Sequence, residues 1–400
     1  MLAAMGAVPR VAFFPDSFHE VNGVAHTSRN FVAYAKRHGV PMLCVRAAAP
    51  GVRGDAVLAT DGSVTSLDLP RGPVSIGLER DLSFDPLFSR HGSAVKRALQ
   101  AFRPDVIHMT GPSELGISAA YFAWRLGVPL AASWHTNVHE YAARRSAGLG
   151  RIASQLPRWI EAATLDVTSR FYRLAKVLYA PNEELCALLE RKTGKPCRVM
   201  RRGVDTALFT PSRRTRSQVD STLMLGYVGR LSVEKNVALL PVMQRALDTA
   251  GINARFCIVG HGDEETMLRT AMPHADFPGV LRGEALATAY ANMDLFVFPS
   301  ETDTFGNVVL EALASGVPAA VTDGGGPKFI VTNGATGIVR PMAALTSAVV
   351  ALLQDRGRLA AMGKAARAYA EGCTWDAIFD GVYDGYAALT PAAARPDPAL

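Results

Sequence analysis

The chain has 400 residues, of which 49% are hydrophobic, and this size and composition fit two globular domains of roughly 100–200 residues each. The 42 basic residues exceed the 36 acidic ones, and the net charge of +6 favours nucleotide phosphates, an acidic membrane surface or nucleic acid without choosing among them. Five cysteines without a CxxC pair argue against a disulfide framework and a zinc site, and no apolar run reaches the ~20 residues of a membrane span. We therefore expect a cytoplasmic α/β protein that is neither exported nor integral to a membrane.

The first elements are a predicted strand over residues 11–14, a loop over 15–23, and a helix that begins near Val24 and ends at His38 and Gly39. Gly23 lies where this loop enters the helix. A glycine at such a turn lets a phosphate approach the backbone, although an ordinary strand-to-helix turn has the same pattern.

The alternation of strands and helices continues through the first half of the chain. Residues 50–92 are rich in Gly, Pro and Arg, and they predict loops and edge strands. We predict strands over residues 40–45, 105–109, 128–133, 177–180 and 198–201, and helices over residues 94–102 and 115–126.

His135 follows the strand that ends at Ser133, at the carboxyl end where open parallel sheets bind ligands. A lone histidine is more often an ordinary core or surface residue. The position favours a binding role, and the residue type alone does not.

The segment 140–176 is basic, with seven Lys or Arg residues, among them Arg144, Arg145 and Arg151, against three acidic residues. Leu149, Ile152 and Leu156 have helical spacing there. Such a segment fits either an ordinary solvated helix face or a surface that lies on an anionic membrane.

The boundary between the two domains is predicted in the polar segment 206–222. We predict a first domain over 1–205, this linker, a second domain over 223–375, a C-terminal helix over 376–390, and a disordered tail over 391–400.

The second domain opens with a strand over 223–228, and a loop with two cations follows it. Arg230 and Lys235 are five residues apart and precede a helix, so both can reach one diphosphate, Arg as a fork and Lys as a point charge. The alternative is that these two cations simply point into solvent from a surface loop.

A strand over 294–298 leads into an acidic loop and then into a helix over 307–315. The free N–H groups at the start of that helix favour a pyrophosphate, which Asp303 and Glu311 would flank as hydrogen-bond acceptors for hydroxyl groups. The alternative is that Asp303 caps the helix and Glu311 is solvated.

Asp303 and Glu311 are separated by seven residues that run through Phe305 and Gly306 into a helix closed by Gly316. This pattern resembles the signature of the retaining glycosyltransferases of family four. Most members have Glu at the first acidic position. The Asp-Thr-Phe-Gly form resembles the subgroup of α-mannosyltransferases and related glycolipid enzymes.

The resemblance, which extends over residues 10–388, implies the GT-B fold, two Rossmann-like domains with parallel sheets that face a cleft. It also implies that the first domain lies on the acceptor side, that the second binds the nucleotide sugar, and that the helix over 376–390 crosses back to the first domain. By the resemblance, Gly23 lies over the donor diphosphate, Arg230 and Lys235 neutralise it, and His135 contacts the donor sugar. Asp303 would hold the sugar hydroxyls and Glu311 the ribose. The implied donor site comprises Gly23, Arg230, Lys235, Asp303, Phe305, Gly306, Asn307, Val308 and Glu311.

The resemblance also implies metal-independent transfer of a hexose, with mannose from GDP-mannose as the first choice, to a hydroxyl of a lipid or glycan. The basic residues 140–176 would border the acceptor, so we expect a protein of the cytoplasm or of the inner membrane's cytoplasmic face, without a nucleic-acid partner. The alternatives are a UDP-sugar-dependent transferase, a GT-B sugar-nucleotide isomerase and an inactive nucleotide-sugar binding module.

Overall fold

The computed structural model describes residues 8–20, 23–72, 76–79, 82–85, 88–134, 165–217 and 221–390. They form two compact α/β units. Arg202–Ala377 is the second unit, and the rest of the described chain, including the residues from Ile378 onward, is the first. Within these ranges, every helix is too short or too polar to cross a membrane.

The first unit is built on an eight-stranded sheet with the strand order β10-β9-β8-β7-β1-β2-β4-β3. All neighbouring strands are parallel except β3, which is antiparallel to β4. Its strands are Val11–Phe14 (β1), Met42–Ala47 (β2), Val57–Asp61 (β3), Val64–Leu69 (β4), Val106–Met109 (β7), Leu130–Ser133 (β8), Val177–Ala180 (β9) and Cys197–Val199 (β10), and Ile76–Glu79 (β5) and Leu82–Phe84 (β6) form a separate hairpin.

Helices cover both faces of this sheet because its central strands are apolar on both sides. One layer shares a single hydrophobic cluster with the sheet and contains Gly92–Phe102 (α2), Glu114–Leu126 (α3), residues 165–172 (α4) and Glu183–Thr193 (α5). The other layer contains Gly23–Arg37 (α1) and the helical residues 378–387. There Phe31 stacks on Phe379 at 4.5 Å, and His108 of β7 is hydrogen-bonded to Tyr386.

The second unit has a six-stranded parallel sheet with the order β13-β12-β11-β14-β15-β16. Its strands are Leu223–Val228 (β11), Ala254–Val259 (β12), Asp276–Gly279 (β13), Leu295–Phe298 (β14), Ala319–Thr322 (β15) and Gly337–Arg340 (β16). Its helices are Leu239–Thr249 (α6), Glu265–Ala271 (α7), Gly283–Ala291 (α8), Asn307–Ala314 (α9), Met342–Leu353 (α10) and Arg356–Glu371 (α11), and Trp375–Ala387 (α12) follows.

The strand order of the second unit reverses between β11 and β14. The chain proceeds from β11 outward to β13 on one side, and from β14 outward to β16 on the other. In open α/β sheets the crevice at the carboxyl ends of such a strand pair is where ligands bind. The loops that follow β11 and β14 therefore form the candidate site.

The structure corrects two of the local expectations. Val64–Leu69 is an interior strand between β2 and β3, although residues 50–92 were expected to hold only loops and edge strands. The last strand of the first sheet is Cys197–Val199, one residue earlier than predicted at its start and two residues earlier at its end. The described residues of the predicted linker, 206–217 and 221–222, belong to the second unit, where Arg214 and Arg216 pair with Asp294 at 2.8 and 2.9 Å.

Candidate donor-binding site

The loop after β11 delivers Lys235 to the loop after β14. A short 3-10 turn, Val233–Lys235, is followed by Asn236 in the left-handed region (φ 53°), and the Asn236 side chain donates to the carbonyl of Pro299 at 3.0 Å. The Lys235 ammonium then lies 2.7 Å from an Asp303 carboxylate oxygen. The side chains of Lys235 and Asp303 are only 11% and 25% exposed. A cation and a carboxylate predicted from distant parts of the sequence are thus adjacent.

Arg230 begins the same loop and extends outward. Its backbone is fixed, because the Tyr227 hydroxyl donates to its carbonyl at 2.8 Å. The side chain is 65% exposed, and its guanidinium lies 4.0 Å from the Glu234 carboxylate. The backbone of Arg230 is therefore fixed, while its exposed charged group can extend to contact an anion.

Two glycines after β12 allow this loop to pack closely on its neighbour. A β-carbon at Gly260 would lie 1.9 Å from the carbonyl oxygen of Gly229, and one at Gly262 would lie 2.3 Å from that of Leu231. The Leu231 amide also donates to the His261 carbonyl at 3.1 Å. The Gly-His-Gly turn therefore supports the loop that carries Arg230 and Lys235.

The glycine turn after β15 supports the acidic loop in the same way. The Gly326 amide donates to the carbonyl of Asp303 at 2.6 Å, and a β-carbon at Gly326 would lie 2.1 Å from the carbonyl oxygen of Thr304. A β-carbon at Gly325 (φ 68°) would lie 2.8 Å from the carbonyl oxygen of Glu301. Sequence reasoning gave this turn no role, although three successive glycines after a buried strand were a signal of close backbone approach.

Replacing Gly326 by alanine is expected to displace the acidic loop, because the new methyl group overlaps backbone atoms that no rotamer change can move. We expect nucleotide affinity to fall by about tenfold or more, measured by isothermal titration with GDP. Gly357→Ala is the matched control, since a β-carbon there would make only ordinary contact, at 3.5 Å from Asp355. Equal affinity of the Gly326 variant and the wild type would show that the turn does not shape the site.

Helix α9 starts directly after this loop. Its N-cap is Gly306 in the left-handed region (φ 98°), without a capping side chain. The alternative in which Asp303 caps the helix is therefore wrong. Phe305 is 5% exposed and belongs to the hydrophobic core, so only its backbone can face a ligand, while Asn307 and Val308 in the first turn are partly exposed.

Glu311 is not the solvated helix residue of the alternative reading. It is partly buried, and the hydroxyl of the fully buried Tyr290 donates to its carboxylate at 2.9 Å. Desolvation raises the pKa of Glu311 to about 7, and the Tyr290 hydrogen bond opposes this only in part. A partly buried carboxyl with one protein donor is suited to accept further hydrogen bonds from a ligand.

Two charged residues near the sheet ends were missed by the sequence reasoning. Arg202 is 6% exposed, and burial lowers its pKa to about 10 while the nearby Asp303 opposes that change.

In the first unit, burial raises the pKa of Asp16 to about 7, although the Ser113 hydroxyl donates to it at 2.5 Å. Asp16 follows β1 by two residues, a position that was a usable signal.

The remaining predicted residues lie in or near the first unit. Gly23 is the first residue of α1. His135, Arg144, Arg145 and Arg151 lie outside the described residues, and their roles stay predictions. Within the described ranges, no group of three or more His, Cys, Asp or Glu side chains is placed to hold a metal ion.

Solved structures with this architecture cover nearly the whole chain. Sucrose-phosphate synthase from Thermosynechococcus elongatus superposes with a TM-score of 0.72 at 20% identity, over 96% of this chain and 100% of that one. The HepE protein of Anabaena, solved with UDP-glucose, superposes with a TM-score of 0.66 at 17% identity, over 95% of this chain and 100% of that one. These likenesses identify a protein of the GT-B class, which confirms the predicted fold.

The sequence comparisons are more specific. A model described as Glycosyltransferase Family 4 matches residues 21–208, and one described as Glycosyl transferases group 1 matches residues 222–355. A GDP-mannose-dependent alpha-mannosyltransferase of Mycobacterium tuberculosis is 34% identical over 397 residues, 95% of this chain and 97% of that protein. The sulfoquinovosyl transferase SQD2 of Arabidopsis thaliana is 29% identical over 92% of this chain and 71% of its own. The chain belongs to glycosyltransferase family 4, which confirms the predicted enzyme class.

Proposed function

We propose that this protein transfers mannose from GDP-mannose to a hydroxyl of a lipid or glycan acceptor, with retention of configuration. The observation that carries the proposal is the 34% identity, over 95% of the chain, to proteins named GDP-mannose-dependent alpha-mannosyltransferase in Mycobacterium tuberculosis and Mycolicibacterium smegmatis. A third protein of that name, from Corynebacterium glutamicum, is 31% identical over 94% of the chain. Such coverage includes both compact units and every loop of the candidate site.

The charges of the second unit fit a diphosphate leaving group. Lys235 and Arg230 emerge from one loop, and the start of α9 has no side-chain cap, so two cations and backbone N–H groups are available to the developing negative charge. In this proposal the Lys235 ammonium turns from Asp303 to the phosphates when the donor binds. Asp303 then accepts hydrogen bonds from the sugar hydroxyls.

The nucleoside would be held on the other side of the helix start. The Glu311 carboxylate, fixed by Tyr290 at 2.9 Å, would accept hydrogen bonds from the ribose hydroxyls. Those hydrogen bonds favour the ionised form of a group whose pKa is about 7, so donor binding and loss of the Glu311 proton are coupled. His135 would contact the donor sugar near its reacting carbon.

Retention requires the acceptor to attack the face that the diphosphate leaves. We propose that a diphosphate oxygen takes the proton of the acceptor hydroxyl as the bond from the sugar to that oxygen breaks. The enzyme then supplies charge stabilisation and orientation, and no enzyme nucleophile is needed.

Activity is expected to persist in excess EDTA, because Lys235, Arg230 and the α9 N-terminus supply the positive charge that a divalent ion supplies in other transferases. The measurement is the initial rate of GDP release with GDP-mannose and an acceptor lipid extract, before and after chelation. A loss of rate that magnesium restores would contradict metal independence.

A UDP-sugar donor is the second candidate, favoured by the UDP-glucose complex of the structurally similar HepE protein. We expect GDP to raise the melting temperature of the purified protein by several degrees more than UDP at equal concentration. Stabilisation by UDP alone would reject GDP-mannose and leave the glycosyltransferase class intact.

We further propose a location in the cytoplasm or at the cytoplasmic face of the inner membrane. The five cysteines, including the buried Cys44 and Cys186, are all unpaired thiols, as a reducing compartment permits. A lipid acceptor would bring the enzyme to the membrane surface. Mass spectrometry of the products formed from GDP-mannose and a total lipid extract would identify the acceptor.

A further inference from the structure

Two of the five cysteines face each other at the edge of the first sheet. Cys186 lies on α5, and Cys197 is the first residue of β10, the strand that follows this helix. Glu190 is one turn after Cys186 on the same side of α5, and its carboxylate accepts a hydrogen bond from the Cys197 amide at 3.0 Å. The side of α5 that carries Cys186 is therefore held against the start of β10.

The two thiols are in direct contact. The Cys197 thiol donates a hydrogen bond to the sulfur of Cys186. Cys186 is 7% exposed and belongs to the hydrophobic core, while Cys197 packs against that core and is partly exposed. β10 is an edge strand whose other residues, Arg198 and Val199, are exposed, so a small solute can approach the pair from the Cys197 side. The two sulfurs are thus adjacent and accessible to a small molecule.

The hydrogen bond also makes this pair chemically different from Cys44 and Cys257. It has the largest effect on both of its members, because it lowers the pKa of Cys186 and raises the pKa of Cys197. Burial, by contrast, raises the pKa of Cys44 to about 12 and that of Cys257 to about 11. The thiolate is the nucleophilic form of cysteine. Cys186 is therefore the best suited of these four thiols to attack an oxidant, and a second thiol lies next to it.

We propose that Cys186 and Cys197 are a modification site at which hydrogen peroxide forms a reversible intramolecular disulfide. The sulfurs must move from hydrogen-bond contact to a bonding distance of about 2 Å. This movement is small, and β10 is paired on one side only, to β9, so it is less constrained than an interior strand. The inference goes beyond the proposed function and depends on neither the donor nor the acceptor.

The oxidation takes two steps. The Cys186 thiolate attacks one oxygen of hydrogen peroxide, the O–O bond breaks, and the departing hydroxide takes up the proton that the thiol had released. This step leaves a sulfenic acid on Cys186 and one water molecule. The Cys197 sulfur then attacks the sulfenic sulfur, the S–O bond breaks, and the Cys197 proton passes to the departing hydroxide. Two thiols and one peroxide thus give one disulfide and two water molecules, and excess dithiothreitol reverses the modification by exchange.

The test is treatment of the folded, fully reduced protein with a small excess of hydrogen peroxide, followed by thiol counting and tryptic mass spectrometry. We expect the number of free thiols to fall from five to three, because two of the five cysteines become joined. Peptides 177–191 and 193–198 should appear as one cross-linked species, since trypsin does not cleave between Lys195 and Pro196. Dithiothreitol should separate them. At pH 7, Cys186 should react at least about tenfold faster than Cys257.

Variants separate this pair from the other thiols. Cys186→Ala should lose no free thiol to peroxide. Cys197→Ser should hold a sulfenic acid on Cys186 that dimedone traps, because the second sulfur is missing. Cys257→Ser is the matched control and should form the same cross-link as the wild type at an unchanged rate. Melting curves show whether each variant folds, and the dimedone measurement tests the proposal even if Cys186→Ala does not fold.

Five free thiols after treatment of the folded protein would overturn the proposal, and so would a cross-link that joins any other two cysteines. A cross-link between Cys186 and Cys197 that forms only in denaturant would also overturn it, because the folded chain would then hold the sulfurs apart. Failure of the mannosyl-transfer proposal is seen separately, in the nucleotide titrations, which contain no oxidant.

Discussion

Replacing Lys235 by alanine is expected to lower the turnover number by about 100-fold or more. Its side chain is 11% exposed, and its ammonium nitrogen lies 2.7 Å from an Asp303 carboxylate oxygen. Removing a preorganised charge that stabilises the leaving group costs roughly 3–4 kcal/mol of transition-state stabilisation. The measurement is the steady-state rate of mannosyl transfer at saturating acceptor.

The control for this substitution is Lys364→Ala, which removes an exposed lysine of α11 and should leave the rate unchanged. Lys235→Arg should retain part of the activity, because the charge is kept while its position changes. Asp303→Asn tests the other half of the pair. If Lys235 acts only through Asp303, the double variant should be no slower than the slower single variant. An unchanged rate in Lys235→Ala would remove the residue from the site.

Replacing Glu311 by glutamine is expected to weaken GDP binding and to stabilise the unliganded fold above neutral pH. The amide oxygen still accepts the Tyr290 hydroxyl, but the charged acceptor for the ribose is lost. A hydrogen bond to a charged group contributes about 1.5–3 kcal/mol, so we expect the dissociation constant for GDP to rise by tenfold or more. Isothermal titration at pH 8 measures the affinity.

The effect of Glu311→Gln on stability has a definite sign and pH window. Desolvation raises the pKa of Glu311 from 4.5 to about 7 in the folded protein, so between these values the folded state holds a proton that the unfolded state has released. Wild-type stability therefore falls as pH rises through this range. The glutamine variant lacks this loss, and it should be more stable by about 3 kcal/mol at pH 8 and nearly equal at pH 4.5.

Denaturant unfolding at the two pH values measures this difference. Glu371→Gln, on an exposed carboxylate of α11, is the control and should show no comparable pH-dependent gain. Equal stability of the wild type and Glu311→Gln at pH 8 would show that the Glu311 carboxylate is well solvated. A GDP affinity that is unchanged would remove Glu311 from the ribose contact.

Most of the helices and strands were predictable from the sequence because their signals are local. Residues 11–14 and 223–228 are short apolar runs bounded by polar residues, proline or glycine, and each is a strand within those bounds. The strand Val64–Leu69 was harder, because its buried and partly buried residues alternate irregularly. Its place between β2 and β3 depends on long-range pairing, which composition does not indicate.

The candidate site likewise has features that the sequence predicted and features that only the structure shows. The sequence motif predicted the donor-site residues Arg230, Lys235, Asp303 and Glu311 and the helix that starts at Asn307. The contact between Lys235 and Asp303 was not, since the two residues are separated by 68 positions and meet only because β11 and β14 are neighbours. The supporting role of Gly326 depends in turn on β15 lying beside β14.

The sequence by itself determined the family, the α/β alternation and the chemical types of the donor-site residues, because these are written in local spacing and motif order. Only the tertiary structure decided which groups meet and how well solvated they are. It pairs Lys235 with Asp303, desolvates Glu311 beside Tyr290, and brings the thiols of Cys186 and Cys197 together. Solvation and contact depend on what the rest of the chain places around a residue, and that is fixed by strand order and packing.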